Sequence, residues 1–231
     1  MPPKIRVRDD DVLVTSRDWP DPFKRFTRVH RWIAEVPEHF IHVPAILVTE
    51  IQPFSECIEF VRSETKAGRM FPELHGLHHE INYQFRSLED VSSDLKISVD
   101  WMIAHLDVRP KIWYTPKGAG LYPHPRAILP DEKKEQLIRQ ADTMRAAASQ
   151  LNLEVVSEYD NKMHGENGIC RHLMDGRSID AISNSRKIEG GHKEISVHWW
   201  ERGIRLKRVL EAVKHGSWAN AMIIEPELFR D

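Results

Sequence analysis

The feature that most constrains this chain is a recurrence. Short aliphatic runs are followed by longer stretches with helical spacing, and the pattern repeats roughly every 30–40 residues. Ile5–Val14 reads as a strand, interrupted by Asp9-Asp10-Asp11, three adjacent acids that are most comfortable where a strand ends. Phe23–Val36 carries Phe23, Phe26, Val29, Trp32, Ile33 and Val36 at helical spacing until Pro37 stops it. Val43–Ile51 is an apolar run suited to a buried strand, and Pro53–Ala67 returns to helical spacing with Gly68 closing it. Phe71–Leu77 reads as a strand. Leu88–Leu106 reads as a helix with Ser87 as N-cap and Asp90 in the capping-box position. Lys111–Tyr114 is expected as a strand, Asp131–Gln150 as a helix, and Leu153–Val156 and Glu194–Trp200 as strands. Ile179–Ser183 is too short to assign, Arg202–Lys214 reads as the last helix, and Met222–Ile224 as a final short strand.

Parallel strands need long crossovers, so this alternation predicts an α/β fold with a mostly parallel sheet. Six or seven such units in 231 residues fit a (β/α) barrel, complete or incomplete, or a doubly wound sheet. In either, the chemistry collects in loops at the carboxyl ends of the strands, and the polar clusters here follow predicted strands. No linker or internal repeat divides the chain, so residues 1–231 are expected to form a single domain.

Composition narrows the class. Hydrophobic residues make up 41% and charged residues 29%, as in ordinary globular proteins. The balance of 33 Lys+Arg against 35 Asp+Glu provides no broad positive field, so nucleic acid is not an expected partner. The locally basic run Arg202–Arg208 reads as a solvated helix face. No apolar run is long enough to span a membrane, and Met1 to Asp9 contains no apolar segment of a signal peptide, so a cytoplasmic location is expected. Cys57 and Cys170 form no CxxC pair and are expected as free thiols, not zinc ligands.

Thirteen histidines and seven tryptophans stand out, and three clusters could carry chemistry. They are Asp9-Asp10-Asp11, Glu73-Leu74-His75-Gly76-Leu77-His78-His79, and Val197-His198-Trp199-Trp200. His75 and His79 are four apart, so on one helical turn or a tight loop both imidazoles reach one cation. A carboxylate from elsewhere completes three protein ligands and leaves positions open for water and substrate. HxxxH alone also describes surface histidines in a polar loop. Adjacent aspartates suit a division of labour, one binding the cation while its neighbour acts as general base.

The series in order is more specific. Arg8-Asp9-Asp10-Asp11-Val12, His75-Gly76-Leu77-His78-His79, Tyr114-Thr115-Pro116-Lys117-Gly118 and Ile195-Ser196-Val197-His198, together with the helical segment Ser87 to Pro110, resemble the polysaccharide deacetylases. These are the NodB-homology group, also called carbohydrate esterase family four, and the resemblance runs over roughly residues 5–200. It implies a distorted or incomplete (β/α) barrel of about seven strands. It also implies a divalent metal, usually Zn2+, and hydrolysis of the amide of an N-acetylated sugar or related small amide.

By motif position, the resemblance implies Asp11, His75 and His79 as metal ligands, Asp10 as general base and His198 as general acid. A register one residue earlier makes Asp9 the base and Asp10 the ligand. Lys117 holds the position whose backbone N–H helps stabilise the oxyanion. Tyr114, Pro116, Lys117 and Trp199 are implied on the substrate side, and Trp19 and Trp113 are further stacking candidates, with core packing the simpler role for Trp113.

The chain departs from the family pattern in places. Val12 stands where the first motif continues into Gly-Pro, Tyr114 where the third opens with Arg, and Lys117 where Tyr precedes the Gly. Arg8, Arg17 or Arg171 is then left to orient the base. No fourth motif is recognisable, and Tyr159 to His164 is the candidate loop in its place. The alternative function is a catalytically altered barrel that binds a carbohydrate or another protein.

Overall fold

Apolar residues recur at helical spacing in every long helix, and each must bury that stripe against a sheet. The structure, a computed structural model, describes residues 5–10, 12–13, 21–35, 40–79, 81–116, 129–157 and 193–198. The described elements are β1 (Ile5–Asp10), α1 (Pro22–Ala34), β2 (Phe40–Leu47), α2 (Val48–Ile51), α3 (Ser55–Lys66), β3 (Glu73–Gly76), a short 3-10 turn (Tyr83–Phe85), α4 (Leu88–Leu106), β4 (Ile112–Thr115), α5 (Asp131–Ser149), β5 (Glu154–Ser157) and β6 (Lys193–His198).

The six strands form one sheet in the order β5-β4-β3-β2-β1-β6, and every pairing is parallel. From β1 to β5, sequential strands are spatial neighbours, with no reversal of direction across the sheet. Each described helix packs on the same face. Phe26, Ile51, Val61, Leu95 and Met144, one from each of α1 to α5, join Ile46, Leu74, Trp113 and Val155 from the strands in one cluster. Each fully buried side chain of this kind contributes about 1.5–3 kcal/mol. The alternate strand residues Val43, Ala45, Ile112, Tyr114 and Val156 form a separate, smaller cluster on the opposite face. Among the described residues, helices on one face and an unreversed strand order match the pattern of a (β/α) barrel more than that of a doubly wound sheet.

Local chemistry explains most of the boundaries. Asp21 caps α1 by accepting from the backbone N–H of Lys24 at 2.8 Å, with Pro22 at the first helical position. Ser87 caps α4 by accepting from the N–H of Asp90 at 3.1 Å. Gly68, at φ +69°, ends α3 in a Schellman arrangement: the N–H of Gly68 donates to Thr65 and that of Arg69 to Glu64.

Two expectations are corrected. The run read as one strand to Ile51 leaves the sheet at Leu47, and Val48–Ile51 forms a helical turn. β1 ends at Asp10, not Val14, and Leu13 lies in the left-handed region at φ 65°. Cys57 is buried and free, its thiol pushed up to about 12 by burial. Cys170, Ile179–Ser183, Arg202–Lys214 and Met222–Ile224 lie outside the described residues. Among the described residues, no helix is long and apolar enough to cross a membrane.

Candidate active site

A parallel sheet brings the ends of all its strands to one edge. Here that edge carries Asp10 at the end of β1, the histidine loop after β3, Tyr114 and Thr115 at the end of β4, and His198 at the end of β6. Asp10 and His198 are partners in register across the β1–β6 pair. Two residues separated in sequence by nearly the whole described chain therefore sit on neighbouring strands.

Alternation along β1 sends consecutive acids to opposite faces. Asp10 shares a face with Arg8, whose Nε donates to its carboxylate at 2.9 Å from Oδ1 and 3.1 Å from Oδ2. The Arg8 guanidinium carbon lies 4.4 Å from the centroid of the Tyr114 ring. Asp9 faces the helices instead, where its Oδ2 is 3.6 Å from Nε2 of His42. The register that made Asp9 the base thus puts that carboxylate on the side of α1, away from Arg8 and Tyr114.

The histidine loop is built by several specific contacts. His75 is buried, and its Nδ1 lies 2.6 Å from the backbone carbonyl of Tyr114. A carbonyl only accepts, so Nδ1 carries the proton and, in the neutral ring, Nε2 carries the lone pair. Ligating histidines are commonly oriented by such a bond. Thr49 holds the loop from β2's end, its N–H and hydroxyl both donating to the Leu77 carbonyl at 3.0 Å. The Tyr83 hydroxyl accepts from the Leu77 N–H at 2.9 Å. Gly76 makes this packing possible: at φ +149°, a Cβ there would lie 3.0 Å from the Tyr83 hydroxyl. The His75 and His79 rings end with centroids 6.3 Å apart.

Among the described residues, no three His, Cys, Asp or Glu side chains are grouped closely enough to hold a metal, so Asp10 does not complete a set with His75 and His79. Asp11, Lys117, Trp19 and Trp199 lie outside the described residues. Pro116 is buried beside Thr115. Tyr114, expected on the substrate side, is 2% exposed with its ring face under Arg8. Trp113 is a core residue, edge-on to Tyr83, with its indole N–H donating to the His75 carbonyl at 3.1 Å.

Sequence reasoning missed a second polar cluster behind the sheet. His30 Nδ1 is 3.0 Å from His42 Nδ1, and His30 Nε2 is 2.8 Å from Glu64. Arg69 grips Glu64 through two bonds of 2.6 and 2.7 Å, and with His30 it holds that carboxyl down at about 2. Glu64 is therefore an acceptor, His30 donates from Nε2, and its Nδ1 accepts from His42. Burial holds both rings below the ordinary histidine range, His42 most strongly. The available signal was His30 in step with Phe26 and Ile33 on the buried face of α1, and His42 alternating with Ile46.

No family sequence model matches the chain, and no curated protein sequence does. Solved structures do match. A family 4 carbohydrate esterase from Streptomyces lividans in complex with acetate gives a TM-score of 0.57 at 12% identity, covering 93% of this chain and 90% of that one. The peptidoglycan deacetylase PdaC from Bacillus subtilis gives 0.55 at 14% identity, covering 93% and 85%. A wild-type family 4 pseudoenzyme from Bacillus anthracis gives 0.54 at 8% identity, covering 94% and 62%. Since both an esterase and a pseudoenzyme appear, the likeness speaks to architecture and leaves activity to the residues of the site. The chain thus shares its fold with these family 4 carbohydrate esterase structures, at 8–14% sequence identity.

Proposed function

We propose that this chain is a metal-dependent amide hydrolase that deacetylates an N-acetylated sugar or a related small amide. In this proposal, residues 1–231 are one catalytic domain whose sheet continues into an incomplete barrel of about seven strands. Asp11, His75 and His79 hold a divalent cation, for which Zn2+ suits the mixed nitrogen and oxygen donors. The chemistry such an ion supplies is polarisation of a carbonyl and a lower pKa for water.

The observation that carries the reading is the state of the histidine pair. His75 and His79 converge at the carboxyl edge of the sheet, and a backbone carbonyl fixes the His75 proton on Nδ1. The other residues then take the remaining work. Asp10, held by Arg8, takes the proton of the attacking water, and His198, its partner in register, protonates the departing nitrogen. The Lys117 backbone N–H supports the developing oxyanion, with Pro116 and Trp199 on the substrate side and Tyr114 backing that wall.

The test is acetate release from N-acetylated sugars by the zinc-loaded protein. Turnover that is lost on chelation, restored by metal, and reduced about 1,000-fold in Asp10→Asn is the expected result. A protein that binds metal and sugar stoichiometrically yet releases no acetate overturns the hydrolase and leaves the binding-module alternative, which the likeness to a pseudoenzyme keeps in view.

A further inference from the structure

The two imidazoles of the edge pair stand on different supports. His75 is held from β4 at two points: its Nδ1 donates to the Tyr114 carbonyl at 2.6 Å, and its own carbonyl accepts from the Trp113 indole N–H at 3.1 Å. His79 lies past the end of β3, so its place depends on the backbone of Leu77 and His78. Thr49 ties that backbone from the side of α2, through the Leu77 carbonyl. From the other side, the Tyr83 hydroxyl accepts from the Leu77 N–H at 2.9 Å and also from the His78 N–H, two consecutive donors on one phenol oxygen. Tyr83 is itself fixed. It is fully buried, and burial pushes its phenol above the ordinary range, so the oxygen stays a neutral hydroxyl. Arg86, at the end of its turn, is paired with Asp94 of α4 at 3.0 Å. The Tyr83 ring meets that of Trp113 edge-on, with centroids 5.2 Å apart. The two supports therefore join where Tyr83 touches Trp113, and the His75 and His79 rings, 6.3 Å apart, are spaced from that contact.

We propose that Tyr83 is the positioning residue of the histidine pair: its hydroxyl sets where His79 stands relative to His75, and thereby the affinity for the cation. This role rests on the proposed function, in which both imidazoles bind one divalent ion. Tyr83 acts through the Leu77 and His78 backbone, while His75 keeps its separate hold on β4. The arrangement also accounts for Gly76. The hydroxyl fills the space that a Cβ there would need, 3.0 Å away, so a side chain at that position and the bond to Leu77 exclude each other. Phenylalanine in place of Tyr83 keeps the ring contact with Trp113 and deprives both N–H groups of their acceptor.

The experiment titrates the full chain with Co2+ and follows the visible d–d bands of the bound ion in the wild type, Tyr83→Phe, Gly76→Ala, the Tyr83→Phe/Gly76→Ala pair and Leu106→Ala. Tyr83→Phe is expected to weaken Co2+ binding about 10-fold and to shift the d–d bands, as loss of a support behind a ligand does. His75 keeps its proton on Nδ1 in imidazole nitrogen NMR of that variant, because β4 still holds it. Gly76→Ala costs less affinity in the Tyr83→Phe background than in the wild type, since the atom its methyl meets is gone. Leu106→Ala, a cavity at the far end of α4, lowers the unfolding midpoint and leaves Co2+ affinity and bands unchanged, which separates positioning from stability. Unchanged affinity and bands in Tyr83→Phe, equal losses in Leu106→Ala, a lost His75 tautomer, or additive losses in the double variant overturn the role. If Tyr83→Phe does not fold, Arg86→Met, which frees the turn from α4, takes its place, and unchanged Co2+ binding there overturns the role. A wild type that binds no Co2+ at saturation overturns the metal reading and this role together. A wild type that binds Co2+ and a Tyr83→Phe that binds it identically overturn this role alone.

Discussion

Two pairs of histidines differ in where the fold places them and in the partners described for them. His30 and His42, behind the sheet, are bonded to each other, and His30's remaining nitrogen is taken by Glu64. His75 and His79, at the strand edge, have rings 6.3 Å apart, and Nδ1 of His75 bonds a backbone carbonyl. Counting imidazoles in the sequence does not separate these pairs, whereas the elements they join and their place on the sheet do. The pair behind the sheet, closed by Glu64, ties α1, β2 and α3 together, and the edge pair is the one to which the proposed function gives a divalent cation.

The largest expected contrast is in metal binding. His75→Ala or His79→Ala should weaken divalent-cation binding by more than roughly 100-fold, while His30→Ala and His42→Ala leave the stoichiometry unchanged. Metal analysis of dialysed protein reads this directly, and equal losses from both pairs would break the comparison.

Stability should show the reverse. His42 is fully buried and bonded, so His42→Ala is expected to cost about 3 kcal/mol in denaturant unfolding, against less than about 1 kcal/mol for the half-buried His79→Ala. Gly76→Ala should fall between them, at about 1–3 kcal/mol, because the backbone sits at φ +149° and a methyl meets the Tyr83 hydroxyl. Its metal affinity should drop as well, which neither substitution in the closed pair predicts.

Acid should act on the closed pair. His30 and His42 have lower pKa values folded than unfolded, so the unfolded chain binds more protons and stability falls as pH drops below about 6.5. Glu64, held at about 2, adds stability that is full above the ordinary carboxyl value of 4.5 and is lost as pH falls from there toward 2. His42→Asn removes a titrating ring and should flatten the upper part of this acid limb in pH-dependent unfolding. The smallest effect is expected from Arg69→Ala at the exposed end of the network: the Glu64 carboxyl moves up from about 2 toward its ordinary value, as carboxyl NMR shifts can follow.

Much of the scaffold was legible because its signals are local. Leu88–Leu106 has a long stripe and a capping serine, and both bounds agree with the structure. The parallel sheet followed from the alternation of elements. Val48–Ile51 was misread because a short apolar run has no period that separates a strand from a helical turn. At the site, the histidine loop and the place of Asp10 at the strand end were legible from spacing. The faces of Asp9 and Asp10 were not, since they depend on where β1 ends and on the register with β2. The stacking of Arg8 on Tyr114 was not legible either, because it joins residues of strands that are not neighbours. His30 and His42 are not legible as a pair because their contact joins a helix face to a strand across 12 residues, and no local spacing marks it.

The central claim is that residues distant in sequence meet around one divalent ion at the edge of the sheet. Anomalous diffraction from a zinc-soaked crystal of the full chain tests it most directly. The account predicts one ion about 2.0–2.2 Å from an imidazole nitrogen of His75, one of His79 and a carboxylate oxygen of Asp11, with Asp10 still on Arg8. An ion held by Asp9, His30 or His42 instead, or none at the edge at saturating zinc, contradicts it.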